Sequence, residues 1–342
     1  MRVLFVKLTS MGDLIHALPA LTDAKRFYPD ISFDWVIEKS FSEVASWHPA
    51  VNNIIRTSHR QWRRNFIASW KSGEIKNFLH TLRENSYDLI IDGQNSLKSA
   101  ITCLLAKGPR VGLDKYSARE SVASLIYQKK IFVDKDLHAV KRLRLLFAEA
   151  LGYSYVNDQP DYGIVNLTFP LPDFTLPKRY LFLVHNASWQ SKMWPENYWR
   201  QLVYYASLQD LHVLLPWGSE AEKNRAMRIA ANQGNAIVLP NFTLSQYAAI
   251  IQNSEGAICN DTGFAHMAAA LNVPAVTIYG STSVKLIGTE GLNQKHQLSS
   301  FSCTECYKYE CDFNQQKHHD ALCLLAIKPQ MVWEKFQSIK IT

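Results

Sequence analysis

The sequence predicts an α/β protein with two parallel-sheet domains in series. Apolar runs rich in β-formers alternate with stretches of helical periodicity along most of the chain, as in repeated strand–helix units. The chain has 342 residues, about twice the usual length of one domain, and 47% of them are hydrophobic, which is enough for two cores. A stretch rich in proline and glycine, 152–178, interrupts the alternation and is predicted to be the linker.

The first half begins with a strand over 2–8 and a helix over 12–28, in which Leu14, Leu18 and Leu21 recur at helical spacing. The same alternation predicts further strands at 33–37, 53–56 and 89–92, and further helices at 41–47, 73–85, 97–106 and 138–151. These elements define a predicted first domain, 1–160.

A second alternating series follows the linker. It predicts strands at 180–185, 212–216, 237–239, 256–259 and 275–279, and helices at 195–208, 221–232, 244–253 and 263–271. The second domain is therefore predicted at 161–328, with a last helix in the segment 329–342.

Charge is distributed unevenly between the two halves. The formal net charge is +7, with 23 Lys and Arg against 16 Asp and Glu in residues 1–160 and 14 against 14 in residues 161–342. Such asymmetry predicts that the first half meets an anionic partner, which could be nucleic acid, a phosphorylated sugar or an anionic membrane surface. Charge alone leaves these three open.

One basic stretch, 56–83, accounts for much of this excess. Its cations are Arg56, Arg60, Arg63, Arg64, Lys71, Lys76 and Arg83, and its interleaved aromatic residues are Trp62, Phe66, Trp70 and Phe78. The stretch is typical of an anion-binding face, but a solvated helical surface would look the same. Single-stranded nucleic acid could stack on the tryptophans, or these side chains could enter a lipid headgroup region.

The cellular compartment is predicted from the lack of long apolar segments. The longest apolar runs, such as 268–271, are far shorter than the roughly 18 residues of a membrane span, and the N-terminus has no apolar core of secretory length. We therefore expect a cytosolic protein, whose six cysteines are mostly reduced.

The first strand-to-helix turn is the first candidate site. Ligands of open parallel sheets bind beyond the carboxyl ends of the strands. Thr9, Ser10 and Gly12 form a turn that lets backbone amides approach a ligand, and Asp13 adds a carboxylate at the helix start. Asp13 could instead only complement the helix dipole. The glycine patterns of dinucleotide-binding and P-loop enzymes are absent from the sequence, which disfavours both classes.

The turn after the predicted strand 256–259 is the most specific candidate. Amides near Thr262 and Gly263 suit a pyrophosphate, and Asp261 could accept hydrogen bonds from sugar hydroxyls, while Thr262 caps the helix. The alternative is that Asp261 and Thr262 are only caps and that His266 is a core histidine.

Two more turns of the second half fit the same ligand. Lys192 precedes a predicted helix and could neutralise a leaving diphosphate. Trp217 and Gly218 follow a strand, and Glu222 lies in the next helical turn, where a carboxylate can bind ribose hydroxyls. Taken singly, Lys192 and Glu222 would be ordinary solvated charges.

Several motifs together resemble the bacterial ADP-heptose:lipopolysaccharide heptosyltransferases, glycosyltransferase family 9, and within them heptosyltransferase I. The motifs are the N-terminal run 1–7 with 10–13, His16 and 18–21, then 33–36, 98–100, 118–120, 192–195, 216–218, and 261–263 with His266. The resemblance implies a GT-B fold, in which two Rossmann-like parallel-sheet domains face a central cleft. It also implies an ADP-heptose donor, inversion at the anomeric carbon and no required metal or other cofactor.

The resemblance assigns roles to the candidate residues. Asp13 becomes the general base, Lys192 and the amides of Thr262 and Gly263 hold the diphosphate, Glu222 holds the ribose and Asp261 the heptose. The donor-binding set is Thr9, Ser10, Gly12, Lys192, Trp217, Gly218, Glu222, Asp261, Thr262, Gly263 and His266. The acceptor-binding set is Arg60, Arg63, Arg64, Lys98 and Arg119. Lys98 and Arg119 would, by spacing alone, be ordinary surface charges.

The implied activity is transfer of L-glycero-D-manno-heptose from the ADP-sugar to a Kdo residue of Kdo-lipid A in lipopolysaccharide core synthesis. Alternatives are a heptosyltransferase acting at a later core position, a nucleotide-sugar epimerase, or a nucleic-acid-binding protein. We expect a monomer that binds no nucleic acid and lies on the cytoplasmic face of the inner membrane. The family also implies that the last helix packs back toward the first domain.

One feature departs from the heptosyltransferase I pattern. Cys303, Cys306, Cys311 and Cys323, with His318 and His319 between them, have the side chains of a structural zinc site. Their spacings differ from the standard paired knuckles, so a site without metal is the expectation and zinc is the alternative.

Overall fold

The protein is described by a computed structural model that covers residues 1–313 and 320–339. The chain divides into two compact units, Met1–Ile164 and Val165–Thr342. The predicted linker, 152–178, contains neither helix nor strand, and the division between the units falls inside it.

The first unit contains a six-stranded parallel sheet in the order β3-β2-β1-β4-β5-β6. Its central strand β1 is almost entirely buried, as expected for a parallel strand covered by helices on both faces. Val3 of this strand pairs with Phe33 on one side and with Leu89 on the other. The strands are β1 (Arg2–Val6), β2 (Ser32–Glu38), β3 (Val51–Thr57), β4 (Leu89–Asp92), β5 (Arg110–Leu113) and β6 (Lys129–Ile131).

Helices connect these strands. They are α1 (Met11–Ile15), α2 (Leu18–Phe27), α3 (Ser42–Ser46), α4 (His59–Arg64), α5 (Phe66–Lys71), α6 (Glu74–Glu84), α7 (Leu97–Leu105) and α8 (Ala139–Leu151), with short 3-10 helices at Lys39–Phe41 and Ser121–Ile126. Phe5 packs against Trp35 and Phe147 with ring centroids 4.9 and 5.0 Å apart, so β1, β2 and α8 share one aromatic core.

The second unit repeats this plan, with the sheet order β12-β11-β10-β7-β8-β9. Its strands are β7 (Tyr180–Val184), β8 (His212–Leu215), β9 (Ala236–Val238), β10 (Gly256–Asn260), β11 (Ala275–Tyr279) and β12 (Gln294–Leu298). Its helices are α9 (Glu196–Ser207), α10 (Glu220–Ala230), α11 (Leu244–Gln252), α12 (Gly263–Ala270), α13 (Val284–Ile287), α14 (Leu322–Leu325) and α15 (Pro329–Gln337), with a 3-10 helix at Gln190–Lys192.

The last helix, α15, belongs to the second unit. Val332 and Trp333 are buried in a core cluster that also contains Trp199 of α9 and Val276 of β11. The contacts of α15 with α9, β11 and β12 give it a clear role in this unit. Its expected packing toward the first domain stays a prediction.

The structure adds elements that periodicity missed. Strands β5, β6 and β12 were missed because they are short or polar. Position 112 of β5 requires glycine, because a Cβ atom there would lie 2.4 Å from the Tyr127 ring. Helices α4 and α5 were missed because each has only six residues, too few for a helical period to be recognised. The predicted helix at 12–28 is divided into α1 and α2.

Candidate active site

A cavity of about 440 Å³ lies at the carboxyl-terminal edge of the first sheet. Lys7 follows β1, Gly93 follows β4 and Leu113 ends β5, so three neighbouring strands open into it. The remaining walls come from α1, residues 117–119, Lys135 and α8. Its polar lining residues include Lys7, Asp13, His16, Gln94, Asn95, Ser117, Arg119, Lys135 and Arg142. This is where a parallel sheet binds its ligands.

Asp13 lines this cavity from the first turn of α1. Its Oδ2 accepts hydrogen bonds from the Ser10 amide at 2.9 Å and from the Ser10 hydroxyl at 2.7 Å. The carboxylate therefore accepts from the N-cap amide of α1, as expected if Asp13 only stabilises the start of the helix. The same two bonds fix its orientation, so the structural and catalytic interpretations are compatible.

Lys7 lies buried beneath this turn. Its Nζ donates to the Gly93 carbonyl at 3.0 Å. Burial lowers the pKa of Lys7, while the negative charges of Asp13 and Asp92 oppose that shift. Gln94 Oε1 accepts from the amide of Thr9 at 3.3 Å, so the turn after β1 is tied to the turn after β4.

The turn after β4 is organised by Asp92. Its Oδ1 accepts from the amides of Gln94 and Asn95, both at 2.8 Å, and its Oδ2 accepts from the Tyr127 hydroxyl at 2.7 Å. Burial raises the pKa of Asp92, and these hydrogen bonds offset part of the effect. Asn95 Oδ1 in turn accepts from the Leu113 amide at 2.7 Å, which links the turn to β5.

Sequence reasoning assigned no role to three cations of the cavity, Lys7, Lys135 and Arg142. Arg142 donates through Nη2 to the Ser117 carbonyl at 2.6 Å, and its buried Nε has no hydrogen-bond partner among the described residues. Burial lowers the pKa of Arg142, and Asp134 opposes the shift. A signal was present, because a cation near the start of a helix opposes the helix dipole and calls for another explanation.

The predicted acceptor residues fall into two groups. Arg119 lines the cavity, whereas Arg60, Arg63, Arg64 and Lys98 are exposed and are absent from its described lining. Lys98 lies near His59 at the start of α4. Burial, together with the charge of Lys98, lowers the pKa of His59 to about 4.

The aromatic residues of the basic stretch do not form one face, which corrects the sequence interpretation. Trp62 and Phe78 are buried in the core with ring centroids 5.2 Å apart, so they cannot stack on a ligand. Phe66 and Trp70 are exposed, with centroids 6.2 Å apart. Trp62 belongs to α4 and Phe78 to α6, and each lies on the buried side of its helix.

In the second unit, Lys192 and Asp261 form a largely buried ion pair. Lys192 Nζ donates to Asp261 Oδ2 at 2.6 Å, and the two side chains are 13% and 4% exposed. The Thr282 hydroxyl donates to the same oxygen at 2.7 Å. The two residues to which the sequence gave separate ligand roles thus contact each other.

The turn between β10 and α12 contains the remaining predicted donor residues. Burial would raise the pKa of Asp261, but His266 and the charge of Lys192 hold it well below its usual value. His266 Nε2 lies 3.8 Å from Asp261 Oδ1. Gly263 begins α12.

Thr262 differs from its predicted role as a capping side chain. It occupies the N-cap position of α12, but its side chain makes no cap hydrogen bond. Its buried Oγ1 has no partner among the described residues. Its hydroxyl is therefore available to a ligand at the helix start.

The Trp217–Gly218 turn comes directly before α10. Glu222 Oε2 accepts from the Gly218 amide at 2.6 Å, and Trp217 Nε1 donates to the Leu239 carbonyl at 2.6 Å. One carboxylate oxygen of Glu222, the residue predicted to bind the ribose, is thus already hydrogen-bonded within the turn that precedes α10. Lys223 lies over the Trp217 ring at 5.0 Å.

Buried polar atoms collect at the ends of β7 and β10. His185 Nδ1, Asn186 Oδ1 and Asn260 Oδ1 have no hydrogen-bond partner among residues 1–313 and 320–339. Burial and the charge of Arg225 lower the pKa of His185 to about 3, so this histidine is neutral at physiological pH. Sequence reasoning assigned no role to any of these three residues, although each directly follows or ends a buried strand.

The four C-terminal cysteines line one small cavity of about 30 Å³. All four thiols are free. Among the residues that the structure describes, no three His, Cys, Asp or Glu side chains are grouped as a metal site. The zinc alternative therefore gains no support from these residues, and His318 and His319 lie outside the described residues.

Two parallel α/β units, each with polar turns at the carboxyl ends of its strands, are the architecture of the GT-B glycosyltransferases. The solved structure of the E. coli heptosyltransferase WaaC with ADP matches with a TM-score of 0.87 and 36% identity, over 99% of this chain and 100% of that one. The structure of WaaC with ADP-2-deoxy-2-fluoro heptose matches with a TM-score of 0.83 and 35% identity, over 98% and 99% of the two chains.

The chain belongs to glycosyltransferase family 9, the heptosyltransferases, whose family model matches residues 75–317. Lipopolysaccharide heptosyltransferase 1 of Pseudomonas aeruginosa is 41% identical over 349 residues, which cover 99% of this chain and 98% of that protein. The predicted fold class, the resemblance to heptosyltransferase I and the assignment as a glycosyltransferase are thereby confirmed.

Helix lengths bear on the expected compartment. Within 1–313 and 320–339, no helix combines the length and the apolar character that crossing a membrane requires.

Proposed function

We propose that the enzyme transfers L-glycero-D-manno-heptose from ADP-heptose to a Kdo residue of Kdo-lipid A, with inversion at the anomeric carbon. The observation that carries this proposal is the Asp13 carboxylate in a cavity that also contains Lys7, Arg119 and Arg142. A proton acceptor among cations suits a sugar that is itself an anion. The identity to heptosyltransferase 1 supports the choice of the first heptose over a later core position.

Asp13 is proposed as the general base. The two hydrogen bonds from Ser10 hold one carboxylate oxygen, and a carboxylate keeps further acceptor capacity for the attacking Kdo hydroxyl. The hydroxyl oxygen forms its bond to the anomeric carbon as its proton passes to Asp13, and the bond to ADP breaks on the opposite face. One displacement of this kind inverts the configuration.

The donor is proposed to bind the second unit. Lys192 exchanges Asp261 for the diphosphate, and Asp261 then accepts from heptose hydroxyls. The unpaired Thr262 hydroxyl and the amides at the start of α12 suit phosphate oxygens. Trp217, Gly218 and Glu222 are proposed for the adenosine, while Thr9, Ser10 and Gly12 are proposed to contact the donor from the first unit. The WaaC structures with ADP and with a fluorinated ADP-heptose analogue support this donor class.

The acceptor is proposed to bind the first unit. Arg119 and Arg142 suit the Kdo carboxylate, because guanidinium groups bind carboxylates in paired geometry. Arg60, Arg63, Arg64 and Lys98 are exposed beyond the cavity, where they suit further anionic groups of the acceptor such as lipid A phosphates. We propose that the enzyme acts as a monomer on the cytoplasmic face of the inner membrane.

A metal ion is not required in this proposal. Lys192 and the start of α12 supply the positive potential that a divalent ion supplies in other glycosyltransferases. Transfer is therefore expected to continue in excess EDTA.

The test is ADP release from ADP-heptose in the presence and absence of Kdo-lipid A. We expect release only with the acceptor, together with a heptosylated product of inverted configuration. Conversion of the nucleotide sugar without acceptor would instead indicate an epimerase. Salt-dependent RNA or DNA binding without sugar transfer would indicate the nucleic-acid alternative.

A further inference from the structure

Helix α7 has an apolar face on its outer side. Leu97, Ile101 and Leu104 are all exposed, and their spacing of four and three residues aligns them along one side of the helix. The buried side carries small or polar residues, namely Ser99, Ala100, Thr102 and Cys103. A surface helix ordinarily has the opposite arrangement, so this exposed face indicates an apolar partner.

The apolar surface continues onto the neighbouring 3-10 helix, Ser121–Ile126, which packs against α7. Val122 and Leu125 are exposed there, Leu125 to 77%. We call the five exposed residues on these two elements, Leu97, Ile101, Leu104, Val122 and Leu125, the apolar stripe. Single exposed leucines are normal, but five on two packed elements form a patch typical of an interaction site.

A second exposed apolar group lies on α5. Phe66, Ile67 and Trp70 are exposed, Ile67 to 71%. The connections from β3 to β4, β4 to β5 and β5 to β6 all advance in the same direction along the sheet. Because parallel crossovers are right-handed, α4–α6, α7 and the 3-10 helix lie on the same face of the sheet. The contacts between α6 and α7 agree with this placement.

Cations accompany both apolar groups. The exposed Lys and Arg side chains of residues 59–120, which include α4–α7, are Arg60, Arg63, Arg64, Lys71, Lys76, Arg83, Lys98, Lys107, Lys115 and Arg119. The carboxylates of the same stretch are fewer, namely Glu74, Glu84, Asp88, Asp92, Asp114 and Glu120, and Asp92 is buried. Protein interfaces are depleted in lysine, whereas apolar side chains surrounded by Lys and Arg are typical of surfaces that bind anionic lipids.

We infer that this face of the first unit docks on an anionic lipid bilayer. The apolar stripe and the α5 side chains enter the interfacial region, and the surrounding cations bind lipid phosphates. Arg119 lines the cavity and lies two residues before the 3-10 helix, so docking keeps the cavity next to the lipid headgroups. The inference deepens the proposed function, on which it rests for the lipid-anchored acceptor.

Vesicle co-sedimentation of the whole chain tests the docking face. The variant Ile101→Gln/Leu104→Gln/Leu125→Gln removes three side chains of the stripe, and the matched control Leu208→Gln/Leu292→Gln removes exposed leucines of the second unit. On phosphatidylglycerol–phosphatidylethanolamine vesicles, we expect the stripe variant to bind at least about tenfold more weakly than the wild type, and the control to be unchanged. Wild-type binding should fall on phosphatidylcholine vesicles and at high salt.

Unchanged vesicle binding by the stripe variant would overturn the inference. So would a wild-type dimer in analytical ultracentrifugation that the stripe variant abolishes without any change on vesicles, because the face would then bind a second copy. All three leucine and isoleucine side chains are exposed, so the variant should keep its Tm, which thermal denaturation checks.

Activity separates this inference from the proposed function. With Kdo-lipid A in vesicles, the stripe variant should lose about tenfold in transfer rate at low acceptor concentration, whereas with a fully deacylated, water-soluble acceptor it should match the wild type. Equal loss on both acceptors would count against docking. A wild-type enzyme inactive on both acceptors would refute the proposed function, while the vesicle-binding result would still decide the docking face.

Discussion

Asp13 and Asp261 occupy the same kind of turn in the two units, yet their surroundings differ. Each follows a buried strand, and each lies at or near the start of a helix. Asp13 accepts its hydrogen bonds from Ser10, a neutral residue, and lines an open cavity. Asp261 is buried and paired with Lys192, and its pKa is depressed.

This difference teaches which carboxylate can do proton chemistry. A carboxylate with a strongly depressed pKa is a weak base, so Asp261 is suited to hold a cation or a hydroxyl and not to take a proton. Position in the fold alone does not distinguish the two residues. Their hydrogen-bond partners do.

Asp13→Asn should have the largest effect, because it removes the proposed base but keeps the size of the side chain. We expect kcat to fall by about 10³–10⁴ with the Tm nearly unchanged. Steady-state ADP release and thermal denaturation measure the two quantities. Activity within tenfold of the wild type would show that Asp13 is not the general base, and the contrast drawn with Asp261 would no longer hold.

Lys192→Met tests the other side of the comparison. It leaves Asp261 buried without its cation, which should cost about 3 kcal/mol of unfolding free energy, and it should weaken ADP binding by about 10²-fold. Chemical denaturation and calorimetric titration with ADP give these values. The double variant Lys192→Met/Asp261→Asn should recover most of the stability but not the ADP affinity. Full recovery of both would mean that the pair is only structural.

The pH dependence of stability sharpens the comparison further. Because the folded pKa of Asp261 lies below its unfolded value of about 3.9, the residue stabilises the fold above that pH and loses the effect as the pH falls. The unfolding free energy of the wild type should exceed that of Asp261→Asn by about 2 kcal/mol at pH 6, and the difference should shrink below pH 4. A difference that is constant with pH would contradict the depressed pKa.

Arg142→Gln should have a smaller effect, confined to the acceptor side. It removes a cation of the Asp13 cavity, so the KM for Kdo-lipid A should rise about tenfold while the KM for ADP-heptose stays unchanged. Arg179→Gln, an exposed arginine of the second unit, is the control. A rise confined to the KM for ADP-heptose would mean that Arg142 binds the donor and would contradict its proposed role in acceptor binding.

Most of the fold could be predicted from the sequence, because buried strands such as β4 and β11 are mainly apolar runs with clear ends. The short strand β6 could not, since two of its three residues are exposed lysines. Helices α4 and α5 have six residues each, too few for a helical period to be recognised, and the contact between Trp62 of α4 and Phe78 of α6 is visible only in the structure.

The candidate site was predictable where one turn contains the whole motif, as at Asp13 or at Asp261 with Thr262. Residues that meet from distant elements were not. Lys7 contacts Gly93, and Arg142 contacts Ser117, and neither pairing leaves a local pattern. The outward face of α7 was also hidden, because its period predicts a helix but not which side the sheet covers.

The Lys192–Asp261 pair has a consequence for turnover. In the proposed binding mode Lys192 exchanges Asp261 for the diphosphate, so the free enzyme already contains a competitor for its own ligand. That competition weakens the binding of the product ADP as well as that of the donor. After transfer, Asp261 can bind Lys192 again and so favour the release of ADP. The ion pair that lowers the affinity for the donor thus also shortens the time for which ADP stays bound.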